Sequence, residues 1–100
     1  MKLLWTENAK KDILSIRYYI ARTNPANAGR WIKRLRSRAK NIVHAPYSFR
    51  KVPEYNQDDI REALEGNYRI VFQITSESII ILTIFEGHRL FSLKSMKRNQ

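Results

Sequence analysis

Two apolar stripes broken by an Asn-Pro step constrain this chain more than any other feature. Ala9, Ile13, Ile16 and Ile20 recur at spacings of four, three and four, which is one face of an α-helix. Thr6 stands where an N-cap belongs, and Glu7 follows in a first turn that favours negative charge. These features predict a helix over 7–22. Asn24-Pro25 then supplies a second N-cap with proline at the first helical position. Ala28, Ile32, Leu35, Ala39 and Ile42 continue the period and predict a second helix over 25–44. So short a connection forces the two into an antiparallel hairpin. A hairpin with one apolar side needs a second layer to bury it.

The remaining segments supply that layer. Residues 2–5 form a short apolar stretch that reads as a strand, and 50–53 as a brief extended piece. Residues 60–64 read as a strand closed by Glu65-Gly66-Asn67, where glycine and asparagine tolerate positive φ. Over 68–75 the chain alternates, with Tyr68, Ile70, Phe72 and Ile74 on one face and Arg69, Val71, Gln73 and Thr75 on the other. After Ser76-Glu77, residues 78–85 are almost wholly apolar and β-branched, as expected of an interior strand covered on both sides. The expectation is an α+β fold, β-α-α-β-β-β, with the helical hairpin on one face of an antiparallel sheet. One hundred residues make a single domain, placed at 1–91, followed by a basic tail at 92–100.

Several function classes drop out. The chain has no cysteine, hence no disulfide, thiolate nucleophile or zinc–cysteine site. Its three glycines are too dispersed for a phosphate-cradling loop. The longest apolar run, Ile79 to Leu82, is far short of the ~20 residues of a membrane span. The first residues meet charge too early for a signal peptide, which points to the cytoplasm and away from a membrane. Two lone histidines lack ligand spacing, so neither a metal nor a cofactor is expected.

Charge gives the first positive clue. The chain carries 19 lysines and arginines against 9 acids, a net charge of +10. No acid lies between Asp12 and Glu54, whereas that window holds ten bases. Six of them, Arg30, Lys33, Arg34, Arg36, Arg38 and Lys40, stud the second helix as a candidate surface for a polyanion, whether nucleic acid, an acidic protein or an anionic membrane. Solubility alone favours mixed signs. Arg69 stands in mid-strand on the face opposite Ile70 and Phe72. With Arg61 on the neighbouring strand and Arg89 beyond the last one, it would suit a phosphate if all three met on one surface. Alternatively, Arg69 pairs with Glu54, Glu62 or Glu86. An RNase that uses the RNA 2′-hydroxyl needs a base, an acid and a cation, roles that Glu54, His88 and Arg69 match by type. His44, near the end of the second helix, suits the helix dipole instead.

Val52-Pro53-Glu54, Asp59-Ile60-Arg61-Glu62, Gly66-Asn67-Tyr68-Arg69-Ile70-Val71-Phe72 and Glu86-Gly87-His88-Arg89-Leu90 occur in this order, after Trp5-Thr6-Glu7-Asn8-Ala9 and Asn24-Pro25. Together they resemble the ParE/RelE toxin superfamily over about residues 3–91. The resemblance implies the fold described above and a growth-inhibiting toxin of a type II toxin–antitoxin pair. It also implies a cognate antitoxin, expected to be acidic, that neutralises the toxin and through which alone the toxin would meet DNA. ParE-like members poison DNA gyrase, whereas RelE-like members cut mRNA on the ribosome. In one RelE-type branch Glu54, Arg69 and His88 would match the catalytic glutamate, arginine and histidine, with Arg61 and Arg89 binding phosphate. The chain departs from that branch where Arg89 follows His88, and only Lys51 stands for the lysine cluster of other RelE members. The motif order favours the gyrase target, with the ribosome as the alternative and an inactive interaction module as a third reading.

Overall fold

The computed structural model describes residues 1–87. In chain order the elements are β1 (Lys2–Trp5), α1 (Glu7–Ala21), α2 (Pro25–Ile42), a 3-10 turn (Pro46–Ser48), β2 (Arg50–Lys51), β3 (Ile60–Glu65), β4 (Tyr68–Ile74) and β5 (Ser78–Glu86). This is the expected α+β class, and the order of elements is as expected except that the brief extended piece at 50–53 contributes a fifth strand, β2. The expected tail at 92–100 lies outside the described residues.

Both caps form as the sequence predicts. The Thr6 hydroxyl accepts from the amide of Ala9 at 3.0 Å, and Asn24 Oδ1 accepts from the amide of Asn27 at 3.1 Å. Each satisfies one of the orphan amides of its helix. Thr6 does a second job: its backbone amide donates to the carbonyl of Ile81, so α1 starts anchored on β5.

The sheet order is β1-β5-β4-β3-β2. β3, β4 and β5 form the expected antiparallel meander, but β1 runs parallel to β5, with Lys2 opposite Ser78 and Trp5 opposite Ile81. The sheet is therefore mixed rather than wholly antiparallel. A strand separated from the meander by two helices carries no local signal for the edge it will join.

Ala9 and Ile13 of α1, and Ile32, Leu35, Ala39 and Ile42 of α2, pack on Tyr68, Ile70, Phe72 and Ile74 of β4 and on Ile79, Ile81 and Ile84 of β5. Ile81 and Ile84 reach the same core although three positions apart, because the ladder slips one residue: Phe72 faces Ile81 and Val71 faces Thr83. That extra residue re-aims the end of β5, as a bulge does.

The opposite face is not bare. Val52, Ile60, Val71 and Leu82 form a second small buried cluster, flanked by Tyr55, Ile80 and Phe85. β5 is thus apolar on both faces, as its composition predicts.

Candidate functional site

The second face of the sheet carries the charged residues singled out above. Arg50 of β2 stands directly opposite Glu62 of β3, and Glu62 opposite Val71 of β4. Arg69 lies diagonally across from Glu62, within reach of long side chains. The three side chains form a ladder: Arg50 Nε donates to Glu62 Oε2 at 2.5 Å, and Arg69 Nε donates to Glu62 Oε1 at 2.6 Å. The Glu62 side chain is wholly buried and that of Arg69 is 7% exposed.

A turn closes the far end of the ladder. The amide of Tyr55 bonds to the carbonyl of Val52, with Pro53 at the position where its fixed φ suits a turn. Asn56 follows at φ 51, a left-handed conformation asparagine tolerates. Val52, fully buried, pins this turn to the sheet. Glu54 therefore faces Arg69 and accepts from both of its η nitrogens, at 2.9 and 2.8 Å. The fork is bidentate, the strongest geometry for this pair. The ring of Phe85 lies 5.0 Å from the guanidinium carbon. The hydrogen bonding that Arg69 donates to Glu54 is the largest cause raising the Arg69 pKa above its ordinary value, burial opposes it, and Glu62 adds to the rise. Arg69 is a permanent cation. Arg50, Glu62, Arg69 and Glu54 together sum to zero charge, so no positive field is left by this set for a phosphate.

The sequence suggests that Arg61 and Arg69 share a surface; the register places them on opposite faces. Arg61 stands opposite Phe72, on the helix side, whereas Arg69 points away from it. Its Nη1 donates to the carbonyls of Tyr47 and Phe49 at 3.1 and 2.8 Å, and its Nη2 donates to Asp58 at 2.8 Å. It ties the loop before β2 to β3. One-residue offsets invert faces in a sheet, which is why spacing alone misplaces this side chain. His88 and Arg89 lie outside the described residues, so only Glu54 and Arg69 of the suggested set are seen together. His44 is exposed just beyond α2.

On α2, Arg34 bonds Glu65 at 2.6 Å and lies over Trp31, and Arg38 reaches the carbonyl of Leu64 and lies over Phe49. Arg36 lies over Trp5. Arg30, Lys33 and Lys40 are exposed. Sequence reasoning misses a patch on α1, where Leu14, Tyr18 and Tyr19 are exposed beside Lys11 and Arg22. Its signal is the four-residue step from Leu14 to Tyr18 on the helix side that should be polar.

Among the described residues, no group of three or more His, Asp or Glu converges as a metal-ligand set. No described helix is long and apolar enough to cross a membrane. No curated protein sequence matches the chain. Among solved structures, a chain of the chromosomal ParDE TA system from P. aeruginosa is similar, with a TM-score of 0.74 and 21% identity over 86% of this chain and 95% of that one. At that identity the likeness concerns the fold. The family model described as the ParE toxin of the type II toxin-antitoxin system parDE matches residues 3–91. With a match of that extent on a two-helix, mixed-sheet fold, the chain belongs to the ParE toxin family of type II toxin–antitoxin systems.

Proposed function

We propose that this toxin stops growth by poisoning DNA gyrase rather than by cutting mRNA. One observation carries the choice. The strand arginine that an RNase would turn toward a scissile phosphate is held by Glu54 and Glu62 through Nε and both η nitrogens. The carboxylate that would serve as general base is the one that occupies it. Releasing Arg69 would leave the buried Glu62 with the more exposed Arg50 as its partner, a loss that opposes the release. A metal-free cleavage needs both groups turned to substrate.

Pure gyrase tests this directly. Micromolar toxin is expected to inhibit supercoiling and to trap cleaved DNA, while messages on translating ribosomes stay whole. Cut mRNA with unaffected supercoiling would move the target to the ribosome. Unhindered growth on expression without the antitoxin would make the chain an interaction module.

The cognate antitoxin is expected to contact α1. Leu14, Tyr18 and Tyr19 offer apolar area, and Lys11 and Arg22 beside them favour acidic partners. Its complex with the toxin should weaken as salt rises.

A further inference from the structure

We propose that the outward face of α2 binds the phosphate backbone of duplex DNA, so that the toxin meets DNA by itself as well as through its antitoxin. This goes beyond the gyrase reading and does not depend on it.

From residue 29 to residue 41, the exposed side chains of α2 are Arg30, Lys33, Arg34, Arg36, Ser37, Lys40 and Asn41, beside one glycine. All seven donate hydrogen bonds. None is acidic and none is apolar. At 3.6 residues per turn, Ser37 lies opposite the buried stripe of Ala28, Ile32, Leu35, Ala39 and Ile42. Lys33 and Lys40 fall on one side of this crest, and Arg30 and Arg34 on the other.

That composition separates two kinds of macromolecule. A protein partner wants an apolar centre with a polar rim. The exposed apolar side chains of the helical hairpin, Leu14, Tyr18 and Tyr19, are on α1. Phosphate contacts want donors and cations without an apolar centre. The stripe also lacks an exposed aromatic ring on which unpaired bases could stack, which favours a duplex over a single strand.

Dimensions favour DNA over duplex RNA. A helix about 10–12 Å across matches a B-form major groove about 12 Å wide, whereas the A-form groove is deep and narrow. A small crest with cations on both sides lets the two flanks reach the two strands. Lys33 and Lys40 are two turns apart, about 10 Å, equal to the axial rise of roughly three base pairs.

The cations are not equally available. Glu65 takes Arg34 at 2.6 Å and approaches Arg38 at 3.7 Å. Arg30, Lys33, Arg36 and Lys40 have no ion pair with any described residue. Four phosphate contacts predict a log–log salt slope of about −3.5.

Fluorescence anisotropy of the full chain on a labelled random-sequence duplex tests the proposal, with duplex RNA of equal length and poly-glutamate as competitors. Lys33→Ala with Lys40→Ala should weaken DNA binding by about tenfold or more and flatten the slope by about two. Glu65→Gln should strengthen binding by freeing Arg34. Arg17→Ala with Arg22→Ala removes the same charge from α1 and should matter little. Equal loss in both double variants would reduce the effect to bulk charge and overturn the proposal. So would tighter binding of duplex RNA, poly-glutamate competing as well as DNA, or an unchanged affinity in the α2 variant. Circular dichroism of each variant confirms that folding is retained.

Discussion

Glu62 accepts from Arg69 Nε at 2.6 Å while its own side chain is wholly shielded from water. A buried carboxylate persists only when it is paired, and here two arginines from the two flanking strands do the pairing. The consequence is that Arg69 has a structural duty whatever else it does.

Arg69→Ala is therefore expected to cost about 3 kcal/mol, because Glu62 keeps its burial and loses the more buried of its two partners. Arg69→Lys should recover only part of this, since one ammonium cannot span both carboxylates. Urea unfolding reads both, as a lower midpoint with an unchanged slope. A fully stable Arg69→Ala protein would show that the ladder is dispensable.

The two helix- and turn-borne glycines should respond in opposite directions to alanine. Gly66 holds φ +58, and a methyl there would lie 2.4 Å from Cη2 of Trp31. Gly66→Ala must strain the backbone and displace a ring that also packs edge-on against Tyr68, a loss of about 2 kcal/mol or more. Gly29, inside α2, has nothing within 4 Å of the same methyl. Gly29→Ala should stabilise by about 0.5–1 kcal/mol through helix propensity. Thermal melts of the two variants are expected to move apart.

Asp12 couples α1 to β5. Its Oδ2 accepts from the amide of Ile84 at 3.0 Å, from Asn8 at 3.1 Å and from the hydroxyl of Thr83. These bonds satisfy β5 beyond the point where β1 ends. Asp12→Ala should cost about 2 kcal/mol, the usual scale for hydrogen bonds to a charged group. Hydrogen exchange at Ile84 should accelerate before exchange at Ile79, which β1 still covers.

Tyr68 should make the fold sensitive to alkali. Burial is the largest cause raising its pKa above 10.0, and the nearby Glu86 and Tyr19 push the same way. A raised folded-state value means the neutral phenol is favoured by folding. The associated stability is present in full below pH 10.0 and is lost as pH climbs through the folded value. Tyr68→Phe should flatten that alkaline limb, as read from unfolding midpoints across the range.

Much of this architecture is legible in the chain itself. The spacing from Ala9 to Ile42, the Thr6 and Asn24 caps and Pro25 determine the helical hairpin, because helix period and capping are local properties. The alternation from Tyr68 to Ile74 determines which side of β4 meets the helices, because side chains in a strand reverse at every residue. What only the tertiary structure decided is pairing between distant segments. The parallel seat of β1 beside β5, the separation of Arg61 from Arg69, and the clasp of Glu54 and Glu62 on one guanidinium each depend on register and on where a turn is pinned. No local pattern encodes those choices. The ladders of β1 on β5 and of β3 on β4 set the first two, and the buried Val52, which pins the turn carrying Glu54, sets the third.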